Sequence, residues 1–151
     1  MDNPGSKHIL LIEDSNSLRK LLSIRLGKQG YEVSTAEDGL EGLEKVRMKK
    51  PDLIILDLLL PGMDGHKVCR LIKLNSLTRD TPIVMYTSRD LDEDAELAKQ
   101  CGADAFIVKT TRSAIMLDVI RQLLNKNQRL SEERLELTTS INQKKFHEER
   151  V

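Results

Sequence analysis

The sequence predicts an α/β protein: a doubly wound (βα)5 domain on a five-stranded parallel sheet, with a C-terminal helical extension. Short aliphatic runs of strand length alternate with longer stretches at helical spacing from residue 7 to about residue 125, as in βα repeats. Three of the short runs are almost continuously apolar, which suits strands covered on both faces. Glycines and prolines fall where helices should stop and strands should start. At 151 residues the chain has room for one domain of ordinary size and a remainder.

The elements follow in order. Residues 1–6 are polar and are expected to be a disordered N-terminus. No apolar run follows that could serve as an export signal or membrane span, so a cytoplasmic protein is expected. The strands are expected at His8–Glu13, Glu32–Thr35, Leu53–Asp57, Ile83–Thr87 and Ala105–Lys109, the first, third and fourth being the apolar runs. Between them, Ser15–Gln29 carries Leu18, Leu21, Leu22 and Leu26, Gly39–Lys49 carries Leu40, Leu43 and Val46, and Gly65–Leu74 carries Val68, Leu71 and Ile72. Each set forms the apolar stripe of a helix packed on a sheet. A fourth helix, Leu91–Cys101, has only Leu91, Ala95, Leu97 and Ala98 for its apolar set and is expected to pack lightly. Gly30 and Gly102 stand where a left-handed residue closes a helix, and Pro51 and Pro82 stand just before strands.

Composition narrows the function. Lysine and arginine balance aspartate and glutamate at 24 each, so no net basic field holds a nucleic-acid backbone or an acidic membrane. With two Phe, two Tyr and no Trp, the core must be aliphatic. Cys69 and Cys101 have no metal-ligand spacing and read as reduced, partly buried thiols. His8, His66 and His147 share no ligand spacing either and suit surface or packing roles.

In open α/β sheets chemistry collects at the carboxyl ends of the strands. Here those ends carry Glu13 and Asp14, Asp57, Thr87 and Lys109. Singly, each residue suits a cap or a turn. Together, three carboxylates at one mouth repel unless a cation answers them, and Mg²⁺ prefers such oxygen ligands while keeping several waters. Asp57, delivered by the run Leu53–Leu56, then suits a nucleophile towards a phosphoryl group, with Lys109 and Thr87 binding its remaining oxygens.

The stretches Ile9–Asp14, Asp52–Asp57 with Pro61–Gly65 after it, Met85–Ser88 and Gly102–Lys109 together resemble the receiver domain of bacterial response regulators, over residues 7 to 125. The resemblance implies strand order 2-1-3-4-5 and a phosphoacceptor of a two-component phosphorelay, served by a histidine kinase or phosphotransfer protein. It implies that Glu13, Asp14, Asp57 and the Leu59 carbonyl hold Mg²⁺, that Lys109 pairs with the phosphate, and that Thr87 and Phe106 switch an α4-β5-α5 surface. On this resemblance the chain is not an enzyme beyond its own phosphorylation and dephosphorylation. One departure is Thr110, where the family usually has a proline joined by a cis peptide; a cis bond before threonine costs about 3 kcal/mol, which puts the placement of Lys109 at issue.

Leu58, Leu59 and Leu60 make an apolar approach to Asp57, and Leu59 is expected to shield an acyl phosphate from water. Residues 126–151 turn polar and read as a linker or helical extension. Met116, Leu123, Leu130 and Leu137 fall at d of a heptad, with Ile120, Asn127, Arg134 and Ile141 at a. Leucine at d with one asparagine at a favours a parallel two-stranded coil, hence a possible homodimer, against an unpartnered helical tail. Two other classes compete: a pseudo-receiver that binds partners without taking phosphate, and a haloacid-type hydrolase. The hydrolase needs an Asp two residues after the nucleophile, where Leu59 stands.

Overall fold

The computed structural model describes residues 5–88 and 92–149, with side chains through residue 144. The strands are β1 (His8–Ile12), β2 (Glu32–Ala36), β3 (Leu53–Leu56), β4 (Ile83–Thr87) and β5 (Ala105–Val108). The helices are α1 (Asn16–Lys28), α2 (Gly39–Lys49), α3 (Gly65–Leu74), α4 (Asp92–Gln100) and α5 (Ser113–Glu149). All strand pairs are parallel, in the order β2-β1-β3-β4-β5, which is the doubly wound arrangement expected.

Alternation along the strands builds two cores. Leu10, Ile12, Ile54, Leu56, Ile83 and Met85 face one side, where Val46 of α2, Val68, Cys69 and Ile72 of α3 and Ala98 of α4 cover them. Ile9, Leu11, Leu53, Ile55, Val84 and Tyr86 face the other side, under Leu22 and Leu26 of α1 and Met116, Ile120 and Leu124 of α5. Burial on both faces explains why these strands read as unbroken apolar runs.

Local chemistry sets the helix ends. The Ser15 hydroxyl accepts from the Leu18 N–H at 3.3 Å and Asp38 Oδ1 accepts from Glu41 N–H at 2.9 Å, each satisfying a donor of the first turn. Gly30 and Gly102, both at φ +92°, close α1 and α4 in a conformation costly for residues with a Cβ.

Three stripe residues lie off the sheet: Leu21, Leu40 and Leu71 are exposed. Each sits beside the line that faces the strands, and Leu22, Gly42 and Cys69 take the buried places. In α4 the buried residues are Asp94 and Ala98, while Leu97 is exposed and Leu91 lies outside the described residues. The light packing expected of α4 is thus present.

The last helix is longer than the sheet needs. At 37 residues α5 runs about 55 Å, and burial stops at Leu124. Among the described residues no helix is long and apolar enough to cross a membrane.

Candidate functional site

Strand register assembles the site. Ile12 pairs with Leu56, so the residues after them, Glu13 and Asp57, lie level at the carboxyl edge. Thr87 pairs with Val108, which sets Lys109 one step beyond Thr87. Glu13, Asp57 and Lys109, expected to close their strands, therefore stand one residue past them, in the turns. Carboxylate oxygens of Glu13, Asp14 and Asp57 lie within 4.8 Å of one another. Glu13 and Asp57 are buried and Asp14 is exposed.

Lys109 answers part of this charge. Its Nζ is 2.7 Å from Glu13 Oε1 and 3.2 Å from Asp57 Oδ2. The Lys109–Thr110 peptide is trans, so threonine at that position still lets the lysine reach the pocket. Burial pulls the Lys109 ammonium down, but its bonds to Glu13 and Asp57 outweigh this and hold its pKa above the usual value. Burial, and then Asp57 beside it, pushes the Glu13 carboxyl up to about 8. One ammonium does not balance three carboxylates.

The second Asp57 oxygen, Oδ1, accepts from the Leu59 N–H at 3.1 Å. Leu58 and Leu60 are buried, so only Leu59 of the three leucines is exposed at the pocket's approach, by 43%. Thr87 is fully buried at the end of β4, and its carbonyl accepts from the Lys109 N–H at 2.6 Å. Phe106 is half-buried against the α2–α4 core. All the residues singled out in the sequence thus lie at one sheet edge or, for Phe106, three residues before it on β5.

Three supporting residues were not singled out as site residues in the sequence, although Gly65 and Tyr86 lie within its resembling stretches. Arg19 Nη1 donates to the carbonyls of Glu13 and Asp14, at 2.7 and 2.9 Å, and its Nη2 meets Glu37 at 3.3 Å, which ties the acidic turn to α1. Tyr86 lies under Lys109, whose Nζ is 5.9 Å from the ring centre. Gly65 leaves room for the Asp57 turn: a Cβ there would stand 2.3 Å from the Asp57 carbonyl oxygen.

The pocket fits a hard divalent cation. Glu13 Oε2 is buried without a hydrogen-bond partner, the donors are all oxygens, and the Glu13 carboxyl resists ionisation until positive charge is added. Among the described residues the histidines join no such group of oxygen ligands. His8 is engaged with Ser34 at 2.7 Å, His66 lies in the first turn of α3 with its Nε2 buried and unpartnered, and the side chain of His147 lies outside the described residues.

Comparison with known proteins agrees with this geometry. The family model for the response regulator receiver domain matches residues 9–127. The chain is 40% identical over 123 residues to the transcriptional regulatory protein AfsQ1 of Streptomyces coelicolor, covering 82% of this chain and 53% of that protein. It is 41% identical over 104 residues to the alkaline phosphatase synthesis transcriptional regulatory protein PhoP of Bacillus subtilis, covering 69% and 42%. The chain spans about half the length of these curated relatives. Among solved structures, the BeF3-activated N-terminal receiver domain of RstA from Klebsiella pneumoniae superposes with a TM-score of 0.74 at 35% identity, over 78% of this chain and 97% of that one. The receiver domain of sensor histidine kinase PA1611 from Pseudomonas aeruginosa, with magnesium in its active-site cleft, gives 0.75 at 26% identity, over 80% and 99%. The chain belongs to the response regulator receiver domain family of two-component systems.

Proposed function

We propose that this receiver takes a phosphoryl group onto Asp57 from a histidine kinase or phosphotransfer protein and changes its α4-β5-α5 surface in response. The observation that carries the reading is the Lys109 ammonium bridging Glu13 and Asp57 beside a buried, unpartnered Glu13 oxygen. Such a pocket holds more negative charge than its own cation neutralises, and it fits both a metal and a phosphoryl group.

Glu13, Asp14, Asp57 and the Leu59 carbonyl would hold Mg²⁺, which when bound screens the carboxylates from the incoming phosphoryl oxygens. The rest falls to the chain. Asp57 is oriented through both oxygens, by Leu59 N–H and Lys109 Nζ, and attacks phosphorus while the bond to the donor's nitrogen or oxygen breaks and the donor leaves with the electron pair. Lys109 follows the charge onto the new phosphoryl group, and Thr87 donates its hydroxyl to another oxygen. Because Thr87 and Phe106 lie on adjacent strands, a shift of the threonine frees space for the aromatic ring. In this reading Leu59 keeps water from the acyl phosphate.

Residues 7–125 form the receiver, and 126–151 the extension. Met116 and Ile120 of the heptad are spent on the protein's own sheet, whereas Leu130, Leu137 and Ile141 are exposed. This free stretch pairs weakly with a second copy, with Glu133 at g beside Arg134 at a supplying charge complementarity in a parallel pair. The receiver does not itself hold nucleic acid in this reading, since its net charge is zero.

Incubation with acetyl phosphate and Mg²⁺, followed by intact mass, tests the central point. One phosphoryl group is expected on the wild type and none on Asp57→Asn. No adduct, under conditions that modify another receiver, replaces this reading with the pseudo-receiver.

A further inference from the structure

Cys69 and Cys101 are 32 residues apart in sequence, yet they meet in the fold. Cys69 sits on α3 and Cys101 directly after α4, and both helices cover the same face of the sheet. The Cys69 thiol donates to the Cys101 carbonyl oxygen at 3.5 Å, which brings the two cysteines side by side. Cys101 Sγ also donates to the Ala98 carbonyl at 3.1 Å. Both thiols are free.

We propose that Cys69 and Cys101 are a paired modification site, which a peroxide converts to an intramolecular disulfide tying α3 to the end of α4. The Cys101 sulfur attacks the peroxide O–O bond and becomes a sulfenic acid, and the departing oxygen leaves as water with the thiol's proton. The Cys69 sulfur then attacks the sulfenic sulfur, the S–O bond breaks, and the hydroxyl leaves as a second water with the Cys69 proton. Two thiols lose two electrons in all, and hydrogen peroxide accepts them.

Order of attack follows from position. Cys69 is fully buried, while Cys101 is 5% exposed and ends a helix that buries only Asp94 and Ala98 among its described residues. Local opening of the end of α4 therefore costs far less than unfolding and brings Cys101 to the oxidant first. The Cys69 thiol next to it lowers the Cys101 pKa and so favours a thiolate there, against burial. The Cys69 thiol is then already beside the sulfenic acid, so closing the bond competes well with further oxidation. If α4 moves when Asp57 is phosphorylated, the bond also restrains that motion; this consequence rests on the proposed function, and formation of the bond does not.

The test treats the full chain with hydrogen peroxide, then unfolds it in iodoacetamide and reads the intact mass without reductant. The expected product has lost two hydrogens, carries no alkylation, stays monomeric and yields a peptide joining Cys69 to Cys101. Dithiothreitol restores two alkylatable thiols. Cys69→Ser is expected to remain oxidised at Cys101 as sulfenic or sulfinic acid. Two alkylated thiols in the treated wild type, separate sulfinic acids without a link, or a cross-link only between chains would each overturn the proposal. Because the deciding measurement uses the wild type, a poorly folding variant does not blunt it.

Discussion

Replacing Asp57 by Asn removes one of three clustered charges, and the structure predicts that the effect on stability changes sign with pH when no metal is present. With all three carboxylates ionised, Asp57 repels Glu13 and Asp14 across no more than 4.8 Å. At an effective dielectric of about 20 each repulsion is worth about 3.5 kcal/mol. Its attraction to Lys109 at 3.2 Å is worth about 5 kcal/mol on the same scale. Repulsion wins by about 2 kcal/mol, so above pH 8 the variant should melt about 4–8 °C higher.

Below pH 5 Glu13 carries its proton, one repulsion disappears, and the lost attraction to Lys109 exceeds what remains. The variant should then melt a few degrees lower than wild type. The wild-type dependence has a definite direction, because a carboxyl raised from 4.5 to about 8 binds more protons folded than unfolded. Stability therefore falls as pH rises between those values, and Asp57→Asn should flatten this slope by removing a cause of the shift. Thermal melts of both proteins in chelator from pH 4.5 to 9, at low salt, measure it. Parallel melting curves with a constant offset would refute the reasoning, since they would mean that Glu13 does not feel Asp57.

Three further outcomes are expected. Mg²⁺ must displace the Glu13 proton, so its stabilisation of the wild type, read as a rise in melting temperature, should grow from pH 5 to pH 8 and shrink in Asp57→Asn. Gly65→Ala forces a methyl to 2.3 Å from the Asp57 carbonyl and 2.7 Å from Leu58 Cα, so it should cost about 3 kcal/mol in denaturant melts and slow labelling by acetyl phosphate. If Leu59 shields the acyl phosphate as proposed, Leu59→Asn puts an amide in place of the exposed side chain of the residue whose N–H meets Asp57, and loss of label after removal of the phosphodonor should be several-fold faster; an unchanged rate removes the shielding role.

Much of the fold was legible because strands covered on both faces leave unbroken apolar runs, and because Gly30 and Gly102 mark backbone that only glycine adopts cheaply. Boundaries slipped by one residue at Glu13, Asp57 and Lys109, since the last ladder bond and the first turn residue have no distinct composition. Leu21, Leu40 and Leu71 misled because leucine is common on exposed helix flanks, and hydrophobicity does not say which side the sheet is on. The site's charged members were legible through their positions after the strands. Arg19 and Tyr86 were not, because their work is done through a pair of backbone carbonyls and a ring face, which one-dimensional spacing does not encode.

The tail shows where a sequence pattern carries two meanings at once. The heptad from Met116 to Ile141 is a single periodicity, yet its first three seam residues pack on the protein's own core and its later leucine and isoleucine positions face outwards. A seam shared in this way cannot give a partner more than about two heptads, fewer than the three or four that mark a sustained coil. Pairing should therefore be weak and concentration-dependent. Sedimentation of the full chain should show a monomer–dimer equilibrium that disappears when the chain is cut after Gln128. Arg134 contacts Asp80 at 3.2 Å in the single chain, so this exposed pair competes with Glu133 of a second copy for the same guanidinium. Asp80→Ala should then shift the equilibrium towards dimer, by less than about tenfold because surface ion pairs are worth at most about 1 kcal/mol. A full chain that stays monomeric at every concentration would leave the helix end without a partner of its own kind.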